Sequence, residues 1–245
     1  MAIVECRDII KYFSVQRGYL KKGAGVVKAL DGVSLEIEEG ETFGLVGESG
    51  CGKTTLGKIL LGIISPDSGE VLLKTKEKQA IFQDPYSSLD PKMKVRDIIS
   101  EGLILKKGSK TRLLERIEKV LDVVRLPKGS LNKYPHQFSG GERQRIAIAR
   151  AVVTEPEFIV CDEPVSNLDV TIQLQILKLL KEIQEKFRIT YLFISHDLRV
   201  IKFMCDRVAV MKDGKIVENR GSKEIFTGPV HPYTKLLLSS IPRIF

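Results

Sequence analysis

Three short runs of apolar residues punctuate the chain. Residues 41–46 (Glu-Thr-Phe-Gly-Leu-Val), 158–161 (Phe-Ile-Val-Cys) and 190–194 (Thr-Tyr-Leu-Phe-Ile) lack the alternation of a half-exposed strand. Unbroken runs of this length are the mark of strands covered on both faces, as in a parallel sheet. Elsewhere the apolar positions recur at helical spacing. Leu56, Ile59, Leu60 and Ile63 share one face, and helical patterns run over 95–103, 110–124 and 142–153. Residues 207–211 and 215–218 flank Asp213-Gly214, a pair suited to a tight hairpin. The pattern predicts an α/β protein without internal repeats. No apolar run reaches the ~18–20 residues that a membrane-spanning helix needs.

The segment after the first strand carries chemistry. Gly47-Glu48-Ser49-Gly50-Cys51-Gly52-Lys53-Thr54-Thr55 fits G-x-x-x-x-G-K-[ST] and lies between a strand and a helix, the context that motif requires. Glycines let the backbone curl around a polyphosphate with its N–H groups inward, and the helix N-terminus adds partial positive charge. Lys53 is expected to reach the β- and γ-phosphates of ATP, and the Thr54 hydroxyl to ligate Mg2+. A chance glycine-rich turn is the plainer alternative, but a random match in this length has odds on the order of one per cent. The dinucleotide pattern G-x-G-x-x-G is absent.

The other two runs end in titratable side chains: Asp162-Glu163-Pro164 after the second, Ser195-His196-Asp197 after the third. Open parallel sheets bind ligands at the carboxyl ends of their strands. Asp162 is placed to hold Mg2+ through water. Glu163, one residue on, faces the other side and can polarise an attacking water as general base. His196 can contact the γ-phosphate and keep water and base in line. Singly, Asp-Glu before Pro reads as a helix start and a lone His as a hydrogen-bonded core residue. Their joint arrival downstream of a phosphate loop favours the catalytic reading.

Ser139 and Glu142 match a capping box, S-x-x-E, at the head of the helix over 142–153. Gly140 and Gly141 at its first two positions cost roughly 0.5–1 kcal/mol each relative to Ala. A backbone that must closely approach a ligand accounts for that cost, and a phosphate is the natural candidate. Phe138-Ser139-Gly140-Gly141-Glu142-Arg143-Gln144 resembles the signature of the ABC ATPases, usually LSGGQ, with Phe138 for Leu and Glu142 for Gln.

The resemblance spans nearly the whole chain. It implies a P-loop NTPase fold, an ABC-type nucleotide-binding domain with an antiparallel β subdomain and a helical subdomain. Residues 1–83 and 155–245 would form the nucleotide-binding core, and 84–154 the helical subdomain, presenting 85–93 to a membrane partner. Ser139, Gly140, Gly141 and Glu142 would close over the ATP held by a second subunit's phosphate loop. Gln83 resembles the Q-loop glutamine, which touches Mg2+ and the water. Ser166-Asn167-Leu168-Asp169 resembles the D-loop, with Asn167 where Ala is usual. Phe13 matches the aromatic that stacks on adenine, with Tyr12 the fallback; such stacking is worth ~1–3 kcal/mol per base.

Further stretches resemble the ATPases of oligopeptide/dipeptide/nickel importers: residues 27–34, the basic glycine-bearing segment 16–25 before them, 82–91, 134–138 and His231-Pro232-Tyr233-Thr234. The implied function is ATP hydrolysis energising uptake of oligopeptides, dipeptides or a related solute such as nickel or an oligosaccharide. The implied partners are a second ABC ATPase subunit, transmembrane permease subunits and, indirectly, an extracellular solute-binding protein. A soluble accessory ATPase of a carbon–phosphorus lyase complex shares the His-Pro-Tyr-Thr tail and is the alternative. In two places the chain departs from these relatives: residues 70–80 are shorter, and the tail stops at Phe245, before the cysteine-bearing extension that some of them use for an iron–sulfur cluster.

Composition changes this picture little. A net charge of +8 fits nucleic acid, an anionic membrane, an anionic ligand or plain solvated lysines. No nucleic-acid partner is expected, because DNA-repair members of the class split their halves with long coiled coils and no extended heptad run occurs here. Translation factors of the class join two ATPase halves in one chain. Cys6, Cys51, Cys161 and Cys205 lie far apart without a CxxC pair, and are expected to be reduced and mostly buried. The first residues lack a signal-peptide layout. The expected location is the cytoplasmic side of the cell membrane, peripheral and held by partners.

Overall fold

The computed structural model describes residues 1–16, 24–84, 88–104 and 110–240. The first elements are β1 (Ala2–Gln16), β2 (Ala24–Glu38), β3 (Thr42–Val46), α1 (Lys53–Leu60), β4 (Ser68–Leu73) and β5 (Lys78–Ile81). Next come α2 (Val95–Ile104), α3 (Lys110–Val123), two short 3-10 turns, α4 (Gly140–Val152), β6 (Phe158–Asp162), α5 (Val170–Phe187) and β7 (Thr190–Ile194). The chain then runs through α6 (Leu198–Met204), β8 (Arg207–Lys212), β9 (Lys215–Gly221), α7 (Ser222–Thr227) and α8 (Pro232–Ser239). It packs as two compact units, Met1–Lys76 with Leu192–Phe245, and Glu77–Tyr191.

In the first unit, β2, β1 and β4 form an antiparallel sheet in that order. Its buried face carries Val4, Cys6, Ile9, Leu30, Val33, Leu35 and Ile37. The β1–β2 register shifts near Cys6, Ile9 and Lys11, the irregularity that lets long strands twist. Beside this sheet in the same unit, β3 is buried at all five positions and pairs in parallel with β8. The hairpin from β8 into antiparallel β9 turns on Asp213 (φ 48°) and Gly214 (φ 78°), the two positive angles a tight primed turn requires.

In the second unit, β5 pairs in parallel with β6, and α4 packs against α2, α3 and α5. Ile98, Ile99, Ile117, Leu121, Ile146, Ile148, Ile176 and Leu180 fill that helical core. Helix α4 begins at Gly140, two residues before the apolar pattern does, because Ser139 is its cap. Asp169 caps α5 by accepting the Ile172 N–H at 3.0 Å, and Arg188 ends that helix in the left-handed region. Strand β7 crosses the boundary between the units and is buried throughout.

All four cysteines are free and buried. Among the described residues no helix is long and apolar enough to cross a membrane. Of the stretches singled out from sequence, 17–23, 85–87 and 241–245 lie outside the described residues.

Candidate nucleotide site

The first unit holds the phosphate loop. Strand β3 ends at Val46, and Gly47 follows with φ 151°. A Cβ there would sit 2.2 Å from the Met211 carbonyl of β8. At Gly52 (φ 110°) it would sit 2.1 Å from the Ala29 carbonyl of β2. The loop is thus clamped between two strand backbones at the points where only glycine fits. Lys53 opens α1, and its buried Nζ donates to the carbonyls of Gly47 and Glu48, both at 2.8 Å. The ammonium is fixed at the centre of the curl.

Helix α1 has no side-chain cap and no acidic residue in its first turn. Its leading N–H groups and its positive dipole end are therefore available to an anion. Around them Ser49, Gly50 and Thr54 are exposed, Thr55 is half-buried and Cys51 is buried, its carbonyl accepting the Gly214 N–H at 3.1 Å.

The same unit carries Phe13 and His196. Phe13 lies opposite Val27 in the β1–β2 ladder, 41% exposed, with Lys11 Nζ 5.6 Å from its ring centroid. Its neighbour Tyr12 donates its hydroxyl to Asp31, a bond that draws the Asp31 carboxyl below its ordinary range. Phe13 is thus the more open of the two rings, and Tyr12 is hydrogen-bonded to Asp31. His196 is exposed and follows Ser195, whose N–H donates to the Leu45 carbonyl of β3 at 3.3 Å. Asp197 then caps α6 and pairs with Arg199 at 2.7 Å.

The second unit carries the acidic strand end, the Q-loop residue and the signature. Asp162 ends β6, and Glu163 follows with φ 51°. A non-glycine residue held there costs on the order of 1–3 kcal/mol, and such strain clusters at functional sites. The turn is braced by Ser166, whose N–H and hydroxyl donate to the Glu163 carbonyl at 3.3 and 3.2 Å. Gln83 is exposed beyond β5, and the Asn167 amide donates to its carbonyl at 3.4 Å. The departure at Asn167 thus ties the D-loop to the Q-loop backbone.

At the tip of α4 the Ser139 N–H and hydroxyl both donate to the Glu142 carboxylate at 2.8 Å, and the Glu142 N–H returns to Ser139 Oγ at 3.3 Å. Those bonds from Ser139 hold the Glu142 carboxyl below its ordinary range. Ser139 and Gly140 are exposed. The two glycines differ. A Cβ on Gly141 would lie 2.6 Å from Ile172 Cγ2, whereas one on Gly140 would make ordinary contact with Leu168 at 3.5 Å. Internal packing therefore accounts for Gly141, and only Gly140 retains the argument that backbone is kept bare for a ligand.

Tyr233 escaped the sequence reading as a site residue. Its hydroxyl accepts the Glu48 N–H of the phosphate loop at 3.2 Å, across 185 residues of chain, a contact no local pattern announces.

This fold is the ABC ATPase cassette, mixed α/β with an antiparallel sheet subdomain. The ADP conformation of MJ1267, an ATP-binding cassette of an ABC transporter, matches with a TM-score of 0.80 at 27% identity, covering 98% of this chain and 99% of that one. A dimeric post-hydrolysis state of the cassette MJ0796 bound to ADP and Pi matches with a TM-score of 0.77 at 28% identity, covering 89% and 98%.

The ABC transporter family matches residues 30–166, and the oligopeptide/dipeptide transporter C-terminal region matches 217–245. The oligopeptide transport ATP-binding proteins OppF and AppF of Bacillus subtilis (strain 168) are each 46% identical over 98% of this chain, which covers 82% and 78% of them. The chain belongs to the ATP-binding proteins of ABC transporters, in their oligopeptide/dipeptide branch, and is an ATPase.

Proposed function

We propose that this chain energises the import of oligopeptides or dipeptides, paired with a second cassette and bound to permease subunits at the cytoplasmic face of the membrane. Likeness to oligopeptide transport ATP-binding proteins along 98% of the chain, continuing through the His231–Thr234 tail, carries the reading. In it, adenine stacks on Phe13 and the triphosphate lies along Gly47–Thr55, where Lys53, aimed by the Gly47 and Glu48 carbonyls, donates to the phosphate oxygens. Glu163 orients and deprotonates the attacking water, and His196 holds the γ-phosphate in line with it. Ser139, Gly140, Gly141 and Glu142 cover the nucleotide of the facing subunit. Residues 84–154, with Gln83 at their edge, pass closure of the pair to the permease.

Thr54, Gln83 and Asp162, the last through water, would hold Mg2+. Their hydroxyl, amide and carboxylate oxygens are the hard donors that this ion takes, and the Thr54 hydroxyl stands exposed in the first turn of α1. When bound, Mg2+ neutralises charge developing on the phosphates.

Reconstitution with the permease and solute-binding protein in liposomes tests the cargo. Peptide should stimulate ATP hydrolysis, and Lys53→Ala should abolish that stimulation. Stimulation by nickel chelates or oligosaccharides but not by peptides would overturn the assignment.

A further inference from the structure

The tail that marks the branch reaches the phosphate loop. The N–H groups of Val230 and His231 donate to the two carboxylate oxygens of Glu218 in β9, at 2.9 and 3.0 Å. His231 then caps α8, its Nδ1 accepting the Tyr233 N–H at 3.1 Å, and Pro232 supplies the preset φ of the first helical position. Tyr233 is seated by this arrangement at 6% exposure, with Lys212 Nζ 5.0 Å from its ring centroid.

From that seat the phenol oxygen accepts the Glu48 N–H at 3.2 Å. That N–H belongs to the same peptide unit as the Gly47 carbonyl, one of the two that grip Lys53 Nζ. A peptide unit is planar and rigid, so a bond at its N–H edge fixes the direction of its C=O. The next carbonyl, of Glu48, takes both Lys53 Nζ and the Cys51 N–H, closing the turn.

We propose that Tyr233 is a positioning residue for ATP binding, acting through the Gly47–Glu48 peptide to hold Lys53 and the first turn of the phosphate loop in their receiving arrangement. This rests on Gly47–Thr55 being the phosphate site, and it gives the C-terminal segment a direct hand in nucleotide affinity. Tyr233→Phe keeps the ring and its seat and removes only the hydroxyl. Thr234→Ala, at a neighbour with 1% exposure on the same helix, removes a buried hydroxyl and keeps the Tyr233 phenol.

The test is MgATP affinity of the full chain, read by displacement of a fluorescent nucleotide, beside amide exchange over 47–53 and thermal melting. Tyr233→Phe should raise the Kd roughly 2–10-fold, the range for one lost neutral hydrogen bond, and speed exchange in the loop. Thr234→Ala should lower the melting temperature and leave the Kd within about twofold of wild type, well below a tenfold loss. An unchanged Kd in Tyr233→Phe, or an equal loss in Thr234→Ala, overturns the proposal while wild type still binds MgATP. A wild-type chain that binds none overturns the phosphate-site reading itself.

Discussion

Gly140 and Gly141 are neighbours at one helix tip, and the structure separates their reasons for being glycine. Alanine at 141 drives a methyl into Ile172, so Gly141→Ala should destabilise the isolated chain by about 1–3 kcal/mol in denaturant unfolding, the usual cost of overpacking. Alanine at 140 meets only ordinary contact and gains helix propensity, so Gly140→Ala should be neutral or stabilising by up to ~1 kcal/mol. Its cost should appear instead as lost ATPase in the assembled transporter. Equal stability losses in the two variants would remove the distinction.

Glu163 is the other residue with a sharp test. Glu163→Gln in the complex should lower turnover ~10²–10⁴-fold, the range for a lost general base, while MgATP still binds. Near-wild-type turnover would remove that role. Cys6, by contrast, carries no reactive thiolate. Burial pushes the Cys6 thiol up to about 12, far from a reactive thiolate. Motif spacing nominated the candidate site residues, but their structural surroundings were not legible in it. The left-handed backbone at Glu163, the Tyr12–Asp31 bond and the Ile172 contact behind Gly141 depend on the folded chain.

Among the elements, α4 is poised by a pH-sensitive cap. The Glu142 carboxyl, ordinarily near 4.5, titrates lower in the fold because Ser139 donates two hydrogen bonds to it. Its contribution to stability is therefore complete above about 4.5 and is lost as pH falls through the lowered folded value. Glu142→Gln should flatten that part of the stability–pH curve, and an unchanged acid limb would show that the cap contributes nothing. The same logic of local bonds at helix ends explains which elements could be read from sequence. Helices α2, α3 and α4 and the three buried strands announced themselves by period, and α4 by its cap as well. The stripe of α5 behind Asp169, with Ile172, Ile176, Leu179, Leu180 and Ile183, carries the same helical spacing. Strands β1 and β2 were foreseen only as an antiparallel region, because the register shifts near Cys6, Ile9 and Lys11 break the alternation that marks a half-buried strand.

At the scale of the molecule, the candidate site residues are divided between two compact units of a single chain. Gly47–Thr55, Phe13 and His196 lie in one unit; Gln83, Asp162, Glu163 and residues 139–142 lie in the other. Motif order nominated these residues. The Tyr233–Glu48 contact was hidden, because residues 185 apart along the chain leave no periodic trace.

The decisive question is whose ATP Ser139 meets. An assembly whose two cassettes can be altered separately would carry Ser139→Cys and receive an ATP analogue with a thiol-reactive group on its γ-phosphate. A nucleotide shared between facing subunits predicts that the introduced thiol is still labelled after Lys53→Ala in the same chain, and escapes labelling when the facing subunit's phosphate loop is disabled. Labelling that depends on Lys53 of the same chain, or that never occurs, would contradict it.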